Sequence, residues 1–180
     1  MTADLQQTYI RPAWLIIGPA IAPTIGLGIC RFAYALVLPD MRESLGWSYS
    51  AAGFMNTINA TGYLIGALGA LAMIRRVGLF DAIRISAWAC VLSLVLSSLT
   101  GDIVVFCAAR LISGIFGVFG FIAGGALASN IAQAQPQRQA FYLSLFYVGP
   151  AVGILISGFV THKIRNNHFP DAEAQSGTVR

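Results

Sequence analysis

The chain has 180 residues, of which 57% are hydrophobic and 10% charged, with a formal net charge of +4. A soluble domain carries about 25% charged residues, yet no Asp, Glu, Lys or Arg occurs in residues 12–30, 44–74, 85–101, 111–137 or 139–161. Five such runs leave no charged face for water, which excludes a soluble globule; a helix needs about 20 apolar residues to cross a bilayer, so the expected class is an all-α integral membrane protein of about five spans.

In chain order, residues 1–11 read as a polar cytoplasmic leader. The apolar stretch from Pro12 runs past Ala22 without the cleavage site of a signal peptide, so it is the first span, within 12–38, closed by Pro39 and Asp40. Ser48 or Ser50 offers an N-cap for the second span, residues 49–74. Arg75 and Arg76 end it, and Gly78 permits a tight turn. The third span is expected at 83–99. The short Thr100-Gly101-Asp102 turn makes it the antiparallel neighbour of the fourth, at 103–128. A polar connection with Pro136 leads to the fifth, at 140–160, and residues 161–180 read as a polar, disordered tail. Residues 12–160 thus form one transmembrane domain.

Arginine sets the orientation. One set of connections holds Arg11, Arg75, Arg76, Arg84 and Arg138, the opposite set only Arg42. The positive-inside rule places the N-terminus in the cytoplasm of a multi-pass protein of the inner (plasma) membrane. Lys163 and Arg165, next to the fifth span, run against that pattern. The positive balance is no nucleic-acid footprint, because it forms no basic face and accompanies no zinc, RRM or helix-turn-helix pattern. Cys30, Cys90 and Cys107 lie far apart without a CxxC, as small packing residues rather than metal ligands. No HExxH, GxSxG, P-loop or paired carboxylate is present, so no enzyme activity, cofactor or metal is expected. The partners expected are the lipid bilayer and a small solute.

Small residues recur at helical spacing: Gly18, Ala22 and Gly26; Gly62 and Gly66; Ser113 and Gly117; Gly120 and Gly124; Gly149 and Gly153. In lipid, close backbone approach supplies packing that water would otherwise drive, so these rows predict a tight bundle.

Two arginines carry the strongest chemical signal. A cation at mid-membrane costs about 2.5–3.5 kcal/mol on insertion scales, a cost usually tied to function. With the first span at 18–38, Arg31 lies roughly 12 Å below its outer end, with Thr24 and Tyr34 near its face. With the span at 12–32, Arg31 instead snorkels to the headgroups. Arg110 lies roughly 12 Å below Asp102, at similar depth, either as a donor to carbonyls or in a functional role. No carboxylate sits mid-span to neutralise the pair. An anionic ligand, backbone carbonyls or a water-filled cavity would do so. Asn56, Asn59 and Tyr63 share one face of the second span, which suits a wet cavity wall and interhelical hydrogen bonds equally.

The stretch GLGICRFAYALVLPDMRESLGWSYSAAGFMNTINATGYLIGAL (26–68) resembles the start of YbfB/YjiJ-type transporters of the major facilitator superfamily. The resemblance covers about residues 12–160. Against the superfamily's GxLADRxGRR connection, Arg76 and Gly78 match; Leu71 replaces the first glycine, Arg75 the aspartate, and Leu79-Phe80 the final basic pair. Arg110 and Gly114 keep the fourth-span arginine and glycine. Gly149, Pro150 and Gly153 keep the GPxxG core of the fifth, with Leu145 and Ile154 in place of its outer glycines. The resemblance implies two six-helix halves built from inverted repeats, with spans one and four lining a central cavity and an ion or proton gradient driving the solute. Arg76, Gly78, Gly114, Gly149, Pro150 and Gly153 take gating or packing roles in this picture. Five spans fall one short of a single half. The expectation is therefore the incomplete N-terminal half of a transporter, not transport-competent alone and in need of a C-terminal half or self-association. The alternative is a non-transporting membrane protein that assembles through its glycine-rich faces.

Overall fold

The computed structural model describes residues 16–44, 46–134 and 136–168. The leader 1–11, with Arg11, and the tail beyond residue 168 lie outside the described residues. Four continuous helices among them are long and apolar enough to cross a membrane. Helix α1 is Ile16–Ser44, α4 is Ile103–Gln133, and α5 is Gln139–His168, reached through a 3-10 turn at Pro136–Arg138. The remaining element, Tyr49–Leu99, holds 51 residues. Straight, it would measure about 76 Å, more than twice the roughly 30 Å of hydrocarbon. It is not straight. Gly78 stands at φ 82°, ψ 169°, a conformation glycine adopts without steric cost, and divides it into α2 (49–77) and α3 (79–99).

Contacts across the bundle give the directions. Along α2, Gly62 abuts Leu111 and Gly114, and Gly66 abuts Ile115 and Val118, so α2 and α4 run parallel. Along α3, Ser86 meets Gly120 and Ser93 bonds Ala109, so α3 and α4 are antiparallel. The chain therefore reverses at Gly78. On α1, Pro19 faces Gly124, Ala22 faces Gly120 and Gly26 faces Gly117, again antiparallel to α4. Thr24 against Gly149 and Gly28 against Gly153 make α5 parallel to α1. The five segments alternate in direction around α4, which touches all the others.

The helices outrun the apolar runs that predict them. Pro39 lies inside α1 rather than at its end: it removes one ladder bond near the exposed end of the helix, which a helix tolerates as a kink. The stop is Gly46, at φ 65°. There the Trp47 N–H donates back to the Arg42 carbonyl at 2.9 Å, the six-to-one bond of a Schellman ending. Ser48, not Ser50, caps α2 by accepting from the Ala51 N–H at 3.1 Å. Asp102 caps α4 through the N–H groups of Val104 and Val105, at 2.8 and 3.1 Å. At the other end, α5 continues to His168, through eight residues expected to belong to a disordered tail. Those residues contain neither Gly nor Pro, and the first proline comes at Pro170. Apolar runs mark what lipid touches, whereas caps, glycines and prolines mark where helices stop.

The interior is thin. A methyl group on Gly26 would stand 2.8 Å from the Gly117 Cα, and one on Gly28 would stand 2.7 Å from the Gly153 Cα. Apolar clusters close the two ends: Ile16, Ala20, Ala128, Ala132, Tyr142 and Phe146 at one, and Tyr34, Met55 and Phe106 at the other. Large side chains such as Leu64, Leu68, Trp88, Leu92, Leu155 and Phe159 point outward, as lipid requires. The small-residue rows face inward, with one exception. Gly18 has nothing within 4 Å, and Pro19 occupies the contact instead.

Candidate functional site

The polar centre is built on a defect in α1. Residues Thr24–Cys30 form a π-helix, in which i→i+5 bonds widen the turn. Pro23, just before it, lacks a backbone N–H, and Gly26 and Gly28 weaken the ordinary ladder within it. The widened turn lets both glycines press on neighbouring helices, Gly26 on α4 and Gly28 on α5. It also changes the phase of every residue beyond it. Thr24 turns toward α5, under Gly149, and donates to the Ala20 carbonyl at 2.6 Å. It does not share a face with Arg31, as seven residues of α-helix would require.

Arg110 comes from α4 to meet the end of this segment. It is 4% exposed. Its Nη1 donates to the Cys30 carbonyl at 2.8 Å, and its guanidinium carbon lies 4.0 Å from the centre of the Tyr34 ring, within cation–π range. Tyr34 is itself buried, and its hydroxyl donates to the Ala52 carbonyl at 3.4 Å. The Arg110 backbone is clamped as well. Asn59 Nδ2 donates to its carbonyl at 2.8 Å and to Ser113 Oγ at 3.2 Å, and Ser113 donates to the same carbonyl at 3.0 Å. Two guanidinium nitrogens, Nε and Nη2, are buried with no hydrogen-bond partner. No ion pair to Arg110 occurs among the described residues, where the recorded pair is the exposed Arg84–Asp81 contact at 3.3 Å. A buried group left so incompletely partnered is costly, by about 1–3 kcal/mol and more for a charge.

Arg110 lines a cavity of about 430 Å³ between α1, α3 and α4. Tyr34, Met41 and Phe106 line it from one side, and Ser93, Ser97 and Ser98 from α3. The sequence reading missed these serines. Ser93 and Ser97, one helical turn apart in an otherwise apolar run, were the available signal. The π-helix had none, since no residue pattern separates it from an interrupted α-helix.

The other candidates divide between two places. Arg31 stands at the level of Arg110, one residue beyond the carbonyl that Arg110 holds, but it is exposed and lies 5.4 Å from the centre of the half-buried Tyr63 ring. It is roughly 20 Å from either end of α1. Asn56 is exposed and Asn59 buried, so the polar row of α2 is split: Asn59 binds α4, while Asn56 does not. Gly114 packs on the Asn59 carbonyl. Gly149, Pro150 and Gly153 form the bed in which the π segment of α1 lies. Arg76 and Gly78 are far from this centre, at the α2–α3 turn. There Arg76, Asp81, Arg84 and Trp88 border a second cavity of about 700 Å³. The three cysteines are free; Cys30 donates to the Cys90 carbonyl at 3.8 Å and Cys90 to that of Ser113 at 3.9 Å. No group of three metal-ligating side chains occurs among the described residues.

Residues 23–173 match the family model described as uncharacterised MFS-type transporter YbfB. The chain belongs to this family of major facilitator transporters. No curated protein and no solved structure matches it. The match spans α1 from Pro23 through α5, and so includes the π segment, both arginines and the GPxxG bed. The protein is thus a multi-pass membrane protein of a transporter family, with a bundle whose buried cation Arg110 is fixed by backbone and ring contacts and lines a cavity.

Proposed function

We propose that this protein takes part in secondary transport of a small solute across the inner (plasma) membrane, driven by an ion or proton gradient, with its N-terminus in the cytoplasm. In this reading α1 and α4 carry the solute site, and Arg110 is its centre. The observation that carries the reading is the state of Arg110, a guanidinium that is buried yet leaves Nε and Nη2 without partners beside a cavity of about 430 Å³. A group placed only for packing would be fully satisfied or replaced by an apolar residue of similar volume. Intramembrane ionisable residues mark solute and ion pathways for this reason. Arg31, exposed at the same level, adds positive potential without burial, and Gly28, Gly149 and Gly153 hold α1 close against α5.

Orientation rests on Arg75, Arg76 and Arg84 around the α2–α3 turn, against Arg42 at the opposite end. A reporter fused in the α2–α3 turn is expected to read as cytoplasmic. The test of transport is gradient-driven solute movement in proteoliposomes. Reconstituted together with a C-terminal half or as a self-associated assembly, the chain is expected to accumulate or release solute when a proton or sodium gradient is imposed, and Arg110→Met to lose at least tenfold of that rate. Equal rates in both proteins would remove Arg110 from the pathway.

A further inference from the structure

The way Arg110 is held selects the shape of what it binds. A guanidinium has three edges. Nη1, on the side flanked by the side chain's own Cδ, is taken by the Cys30 carbonyl at 2.8 Å. The nitrogens left unpartnered are Nε and Nη2, whose N–H bonds run parallel along a single edge. That edge is the fork that receives both oxygens of a planar carboxylate. The plane of the fork is set by Tyr34, whose ring lies 4.0 Å from the guanidinium carbon. Its height is set by Asn59 and Ser113, which hold the Arg110 carbonyl from both sides.

The α3 wall of the cavity, at Ser93, Ser97 and Ser98, has the opposite polarity. Ser93 donates its hydroxyl proton to the Ala109 carbonyl at 2.6 Å, Ser97 to the Ser93 carbonyl at 2.8 Å, and Ser98 to the Val95 carbonyl at 2.8 Å. A carbonyl cannot donate, so each proton is committed, and each serine oxygen keeps lone pairs to offer. These side chains accept hydrogen bonds from a ligand and give none. We infer that the cavity between α1, α3 and α4 binds a hydroxycarboxylate, its carboxylate bidentate on the Nε–Nη2 edge of Arg110 and its hydroxyls donating to the α3 serines. The inference rests on the transport reading for its purpose but not for its chemistry. Both nitrogens are sealed from water in this state, so binding takes a small movement of the guanidinium into the cavity it lines.

The experiment is isothermal titration of the purified chain in detergent with four probes: glycerate, gluconate, sorbitol (gluconate's length without the charge) and hexanoate (the charge without hydroxyls). Glycerate or gluconate is expected to bind at least tenfold more tightly than hexanoate, and sorbitol not measurably. Arg110→Lys keeps the charge but loses the fork, and is expected to weaken the hydroxycarboxylate at least tenfold. Should that variant fail to fold, Ser97→Ala carries the test: it is expected to weaken glycerate or gluconate several-fold and leave hexanoate unchanged. Failure of both hydroxycarboxylates to bind, sorbitol binding as tightly as gluconate, or unchanged binding in a folded Arg110→Lys protein overturns the inference. Gradient-driven transport of a neutral solute without hydroxycarboxylate binding overturns it too and leaves the transport reading standing. Binding that passes these tests without any transport upholds the site and counts against transport alone.

Discussion

Arg31 and Arg110 are the same residue type at the same level of one bundle, and one is exposed while the other is buried. Arg110 is 4% exposed, bonded to the Cys30 carbonyl and stacked on Tyr34. Arg31, on the next residue of that same helix, is exposed and meets Tyr63 at a looser 5.4 Å. The difference comes from the helices, not from depth along the sequence. Arg110 projects from a face of α4 that α1 and α3 enclose, whereas Arg31 projects from an open side of α1. Depth decides whether a cation is costly; helix neighbours decide whether the cost is met by protein, ligand or solvent.

The largest expected effect attacks what brings the Cys30 carbonyl to Arg110. That carbonyl is where it is because Gly28 lies on α5, with the Gly153 Cα and the Pro150 carbonyl 2.7 and 2.9 Å from where a methyl would go. Both are backbone atoms and cannot move as a side chain would. Gly28→Leu is expected to destabilise the bundle by about 3 kcal/mol or more, read as a lower melting temperature in detergent. Gly18→Leu, with nothing within 4 Å, is expected to change stability by less than about 0.5 kcal/mol. Equal losses in the two variants would mean that α1 and α5 do not pack as described.

A smaller effect comes from the clamp on the Arg110 backbone. Asn59→Leu removes the bonds at 2.8 and 3.2 Å while keeping similar volume. Interhelical hydrogen bonds in membranes are worth about 0.6 kcal/mol on average and up to about 1.7, so a loss of about 1 kcal/mol is expected. Asn56→Leu, at an exposed position on the same helix, is expected to cost nothing measurable. This pair separates the two halves of the α2 polar row as directly as the arginines separate α4 from α1.

Much of the fold was legible. The charge-free runs imply an all-α membrane protein, and the segment from Gly26 to Leu68 with the Arg110–Gly114 and Gly149-Pro150–Gly153 motifs points to the major facilitator family. Helix ends were less legible, because lipid-matched hydropathy says nothing about residues in the headgroup region; Gly46 and Ser48 fix one junction, and Pro39 does not. The site was legible only as a list. Arg110 stands out because a charge in an apolar run is rare, but its hydrogen-bond partner is a main-chain carbonyl, which has no letter in the sequence, and the Tyr34 ring it meets comes from another helix. Thr24 leaves the face expected for it with Arg31 for a related reason: counting by α-helical turns is invalid across Thr24–Cys30. The serines of α3 were readable as polar residues one turn apart but carried no meaning until α1 and α4 closed the other walls.

Apart from the control substitutions at Gly18 and Asn56, the smallest stability effect belongs to Arg31, and it divides the two arginines most cleanly. An exposed cation–π contact is worth about 0.5–1 kcal/mol, and removing an exposed charge leaves no orphaned group behind. Arg31→Gln is thus expected to lower stability by less than about 1 kcal/mol, within reach of careful thermal unfolding but small beside Gly28→Leu. Its signature lies in kinetics. An exposed cation beside the site raises the local concentration of an anion, and such steering fades as salt rises. The association rate of an anionic ligand is therefore expected to fall several-fold in Arg31→Gln at low ionic strength and to converge with wild type near 1 M salt, while its dissociation rate stays the same. For Arg110→Lys the pattern is reversed, since losing the fork speeds dissociation at every salt concentration. If stopped-flow measurements gave the same salt dependence for both variants, the two arginines would share one environment, and the distinction between an enclosed cation on α4 and an open one on α1 would be wrong.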